Sequence, residues 1–147
     1  MYKKILVPLD GSKLAETALP HAESLAAQYG ATLFLLSVIT PPAITAGRGV
    51  EAFKLFENEM DTLLQDAEQY LKQLSDNLNE RQVRTESAVK FEPVVKSIIE
   101  TATDTAVDLV IIASHGRSGL GRVFFGSVAA GVLNRIETPL MVIRPAV

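Results

Sequence analysis

A chain of 147 residues is about one domain's length, long enough to fold around its own core without disulfide or metal. Hydrophobic residues at 48% and charged residues at 21% exclude general disorder, and the absence of cysteine excludes disulfide scaffolds, zinc–thiolate sites, iron–sulfur clusters and thiol catalysis. The net charge of −3 is uneven: residues 1–108 carry −6, while residues 109–147 hold four arginines against Glu137 alone. A mildly acidic chain with one basic stretch lacks the wide basic face of a nucleic-acid binder and suits a single small anion site. Five of the nine glycines fall in the same stretch, within residues 116–131.

In chain order, residues 4–9 form a short apolar run ended by Asp10-Gly11, the pattern of a strand buried on both faces. Pro8 and Asp10 also interrupt that run too soon for a signal peptide, which needs an apolar core of roughly 7–15 residues. Ser12 stands where a helix N-cap belongs. Ala15, Ala18/Leu19, Ala22, Leu25/Ala26 and Tyr29 then mark one helix face, Pro20 is expected to bend that helix, and Gly30 to end it. Residues 32–39 read as a second buried strand closed by Pro41-Pro42, and residues 40–50 as a mobile loop.

From about residue 51 to 78, Phe53, Phe56, Met60, Leu63/Leu64, Ala67, Tyr70/Leu71, Leu74 and Leu78 trace a long amphipathic helix, expected to pack on the sheet. Residues 83–89 alternate and predict a strand near a sheet edge. Pro93 opens another helix, with Val94/Val95, Ile98/Ile99 and Ala102 on its inner face. Residues 109–113 are the most apolar run and predict a central strand. Gly126-Ser127 opens a short helix through Val128, Val132, Leu133 and Ile136, and residues 139–143 form a closing strand.

Strands alternating with helices, with no break in composition, predict one α/β domain over residues 1–147: an open five-stranded parallel sheet with helices on both faces and right-handed crossovers. No run approaches the ~20 apolar residues that cross a bilayer. The expectation is a soluble cytoplasmic protein bound to neither membrane nor nucleic acid.

Ligands of such sheets bind beyond the carboxyl ends of the strands, where the strand order reverses. Three segments reach that place: residues 8–12, 38–42 and 113–127. The third holds most of the clustered glycines. Glycine lets successive backbone N–H groups turn inward as a nest for phosphate oxygens, and a helix starting near Ser127 adds its positive end. The Ser127 hydroxyl can cap that helix or bond a phosphate. Arg117 and Arg122 can clamp phosphates or stand in solvent; Arg117 stays open, and Arg122 is read as solvated. No G-x-x-x-x-G-K-[ST] loop is present, and Phe124 stands where a dinucleotide fingerprint needs glycine. Asp10 can accept hydrogen bonds from ribose hydroxyls or form an Asx turn into the first helix. His115 is not assigned a catalytic role, and two histidines without cysteine argue against a transition-metal site.

The stretch from Ala113 through Gly116, Gly126 and Ser127 to Val128 resembles the G-x2-G-x9-G-[ST] signature of the universal stress protein family, in the members that bind ATP. Ala113 departs from the first glycine; Gly116, Gly126 and Ser127 match. The opening, second and closing strands share the resemblance, so it covers the whole chain. It implies a Rossmann-like fold of the adenine nucleotide alpha hydrolase type with strand order 3-2-1-4-5. It implies an adenine nucleotide site, with Pro8 and Asp10 at the end of the first strand and the Val38 backbone at adenine. Ala113, Gly116, Gly126, Ser127 and Val128 then meet ribose and phosphates, and Arg117 beside Gly116 is added to the site as a candidate phosphate clamp. The cofactor expected is ATP, with Mg or Mn held through the phosphates and no protein metal site. The function expected is regulation in a stress response, through protein partners that the sequence does not name. Turnover is expected to be slow or absent, no catalytic residue being assigned, with weak ATPase or autophosphorylation the most that is foreseen. The resemblance also implies a homodimer through residues 139–143. The alternatives are an interaction module without nucleotide and a slow ATP hydrolase.

Overall fold

The computed structural model describes residues 1–42, 49–114 and 126–145. The elements run β1 (Lys4–Leu9), α1 (Lys13–Glu16), α2 (Leu19–Tyr29), β2 (Thr32–Ile39), α3 (Gly49–Glu80), β3 (Thr85–Phe91), α4 (Val94–Asp104), β4 (Leu109–Ala113), α5 (Ser127–Arg135) and β5 (Leu140–Ile143). All strand pairings are parallel, and the sheet order is β3-β2-β1-β4-β5. The order implied by the resemblance is therefore the one observed.

Alternation along the strands sorts the core into two layers. Ile5, Val7, Leu33, Leu35, Leu109 and Ile111 face α1, α2 and the second half of α3. Leu6, Phe34, Leu36, Val110 and Ile112 face α4 and α5. Every residue of β4 is buried, as its apolar run requires. β3 is an edge strand, as its alternation predicts, but it starts two residues later than expected, and Val83 is buried ahead of it.

Pro20 does more than bend its helix. In a continuous helix, the amide of residue 20 would bond the Glu16 carbonyl, and proline has no such amide. The chain ends α1 at Glu16 instead, with the Thr17 hydroxyl donating to the Leu14 carbonyl at 2.6 Å. It then restarts as α2 with Pro20 in the first turn, where the missing donor costs nothing. Gly30 closes α2 in the left-handed conformation at φ 66°, donating its N–H to the Ala26 carbonyl.

α4 and α5 approach closely because residue 131 has no side chain. A Cβ there would stand 2.8 Å from Val95 Cγ2. α3 packs on the sheet as expected, but only over its second half, where Leu71 and Leu78 are buried. In α5, Leu133 is 50% exposed. The apolar pattern of α3 is longer than the sheet available to cover it.

Candidate functional site

The strand order reverses between β1 and β4, and a cleft opens at their carboxyl ends. It holds about 250 Å³, against ~300–1,000 Å³ for most ligand pockets. Pro8, Leu9 and Asp10 come from the end of β1, Leu36, Val38 and Thr40 from β2, and Ile112 and Ala113 from β4. Ala15 of α1, Val94 and Ile98 of α4, and Val128 of α5 complete the wall. Most of these side chains are apolar, which suits a flat heterocycle better than a string of phosphates.

Asp10 supplies the carboxylate. Its Oδ1 accepts from the Ser12 N–H at 2.9 Å and from the Ser12 hydroxyl at 2.5 Å. Ser12 Oγ in turn accepts from the Ala15 N–H at 3.1 Å and so caps α1. Asp10 thus makes the Asx turn into the first helix and lines the cleft as well; the two readings are compatible. Tyr70 of α3 joins from outside the wall, donating its hydroxyl proton to Glu16 Oε2 at 2.9 Å. Burial, that hydrogen bond and the charges of Glu16 and Asp10 all raise the Tyr70 pKa, so the phenol stays neutral.

At the far wall α5 begins. Gly126 is its N-cap and Ser127 its first residue, and among the described residues no side chain caps it. The first intrahelical amide bond runs from Ala130 N–H to the Gly126 carbonyl at 2.9 Å. The amides ahead of it have no partner within the helix and carry its positive end. The Ser127 hydroxyl is therefore not the helix cap.

Of the residues singled out in the sequence, Pro8, Asp10, Val38, Ala113 and Val128 line this one cleft, and Gly126 and Ser127 adjoin Val128. Gly116 and Arg117 lie outside the described residues, as do His115, Gly119, Gly121 and Arg122. His21 is exposed on α2. The sequence reading missed Val94 and Ile98 as wall residues, because a helix's inner face reads as core. Their position after an edge strand was the available signal. Among the described residues, no group of three acidic or histidine side chains could hold a metal ion. None of the described helices is long and apolar enough to cross a membrane.

Strand order and cleft together define an open α/β protein with a cleft at the topological switch point, where such folds hold their ligands. The sequence model of the universal stress protein family matches residues 1–144, and the chain belongs to that family. Universal stress protein MJ0577 of Methanocaldococcus jannaschii is 28% identical over 98% of this chain and 96% of its own. Its solved structure matches with a TM-score of 0.83 at 26% identity, covering 99% of this chain and 98% of that one. More distant structures share the fold. A universal stress protein in complex with cAMP has a TM-score of 0.65 at 20% identity over 97% of each chain. One from Archaeoglobus fulgidus in complex with dAMP has 0.68 at 19%, over 96% of this chain and 97% of its own.

Proposed function

We propose that the protein binds ATP in the cleft at the strand ends and acts as a nucleotide-dependent regulator with little or no turnover. The convergence of Pro8, Asp10, Val38, Ala113 and Val128 on one cleft carries this reading. The adenine base lies among the apolar side chains near Val38 and Ile98. The ribose hydroxyls donate to Asp10, and the phosphates extend toward the amides of Gly126, Ser127 and Val128 at the start of α5. Gly116 is assigned to the same phosphate loop from the sequence motif alone, and Arg117 joins it as a neighbouring cation able to clamp a phosphate. The adenine nucleotides held by the two distant relatives support the choice of base.

Asp10 is the only carboxylate among the described residues of the wall. Any Mg²⁺ or Mn²⁺ that accompanies ATP takes its ligands mainly from phosphate oxygens and water. Residues 113–128 contain no lysine or carboxylate, and this supports slow hydrolysis. The protein pairs as a homodimer through β5. Its four apolar residues are all only partly buried, and exposed apolar edges are ordinarily paired or covered. Cytoplasmic location and a role in stress follow the family reading.

Denaturing the purified protein and identifying the released small molecules by mass spectrometry tests the ligand. An adenine nucleotide is expected. Release of a different ligand class, with no binding of added ATP, overturns the reading. Phosphate release at about 1 per second or faster overturns the regulator and restores the hydrolase. Light scattering at micromolar concentration tests the dimer, and a strict monomer contradicts it.

A further inference from the structure

Helix α3 is longer than the sheet it lies on. Its 32 residues span about 48 Å at 1.5 Å per residue, whereas the eight residues of β2 span about 26 Å. Its second half is anchored. Leu71 and Leu78 are buried, Tyr70 and Leu74 pack against the same core, and Asn79 Oδ1 meets Thr85 Oγ1 at 3.3 Å beside the start of β3. The surplus length therefore lies beyond the carboxyl ends of the strands.

The apolar stripe does not stop where the sheet does. Phe53, Phe56, Met60 and Leu63 continue the three-four spacing of Ala67, Tyr70 and Leu74. None of the four is buried; Phe53 is 59% exposed and Leu63 37%. Carboxylates border the stripe. By helical spacing, Glu57 and Asp61 lie along one side of it and Glu59 along the other, and all three are exposed. Residues 50–64 carry a net −3, Lys54 against four acids.

We propose that this overhanging face docks a cationic amphipathic helix of a partner protein. The apolar stripe takes the partner's apolar face, and its lysines or arginines meet the bordering carboxylates. A second copy of the chain is disfavoured, because pairing α3 with itself sets acidic borders together. An anionic membrane surface is disfavoured for the same reason. The proposal stands independently of the nucleotide site.

A fluorescein-labelled, 18-residue leucine–lysine peptide of helical periodicity tests it by anisotropy, beside a scrambled peptide of equal composition. The periodic peptide is expected to bind the full-length protein at least about tenfold more tightly than the scrambled one. Phe53→Ser should weaken it about tenfold or more, and so should Glu57→Lys/Glu59→Lys/Asp61→Lys, with circular dichroism unchanged in both. Equal binding of the two peptides, or indifference to both variants, overturns the proposal. So does a drop in oligomer size on Phe53→Ser alone, because the face would then be occupied by a second copy.

Discussion

Tyr70 and Glu16, 54 residues apart, meet at 2.9 Å and tie the longest helix to the shortest. The link matters because the residue beside Glu16, Ala15, lines the cleft. Tyr70→Phe removes the donor and is expected to cost about 1 kcal/mol in urea denaturation. Burial of Tyr70, with its hydrogen bond to Glu16, sets an alkaline signature. Above about pH 10 the unfolded Tyr70 ionises while the folded one keeps its proton, so stability falls as pH rises. Wild type should lose stability faster than Tyr70→Phe from about pH 10 to 11; parallel curves would contradict this account.

The contact of α4 with α5 predicts a graded response at residue 131. Gly131→Leu drives a branched side chain into Val95 and is expected to destabilise by about 1–3 kcal/mol. Gly131→Ala should be near neutral. Its methyl displaces only the end of the Val95 side chain, and alanine's helix preference offsets that by about 1 kcal/mol. Equal stability of the leucine variant in chemical denaturation would disprove the close approach.

Asp108 fastens the amino end of the sheet. Its Oδ2 accepts from the Lys3 N–H at 2.6 Å and the Lys4 N–H at 2.9 Å, and these bonds hold its pKa below the usual carboxylate value. A depressed folded pKa gives stability that is present above about pH 4 and lost as pH falls below it. Asp108→Ala should therefore be less stable than wild type at neutral pH, with the gap narrowing in acid. A gap that stays constant down to about pH 2 would show that the carboxylate charge is not what matters.

Two substitutions separate the roles of Asp10. Asp10→Asn keeps an oxygen for Ser12, so α1 stays capped and stability should hardly change. Asp10→Ala loses the turn as well and should lose about 1 kcal/mol. Both are expected to weaken ATP about tenfold or more, because a charged acceptor is lost from the ribose. Full ATP affinity in both variants would remove Asp10 from the nucleotide site.

Most of the fold was legible because buried parallel strands and amphipathic helices write themselves as runs and spacings. The run at residues 109–113 became β4 without adjustment, and β2 fell on the expected residues. Composition showed less where tertiary fit decides. Pro20 split a helix instead of bending it, and Phe53 and Leu63 continue the apolar face of α3 although both are exposed. The cleft was legible in the three strand-end segments, which depend on topology and supply Asp10, Val38 and Ala113 to its wall. Its α4 wall was not, since Val94 and Ile98 carry no chemistry that separates a cleft from a core. Gly116 and Arg117 lie outside the described residues, so the proposed phosphate loop is argued from the sequence.

The most direct test of the central claim is calorimetric titration of ATP into wild type and Val38→Trp. Val38 is partly exposed on the cleft wall, so an indole there fills the space assigned to adenine and leaves the rest of the core in place. Wild type is predicted to bind with a micromolar Kd, about −8 kcal/mol. The variant is predicted to stay folded and to give no binding heat. Equal ATP binding by both proteins, or none by wild type, would contradict the account.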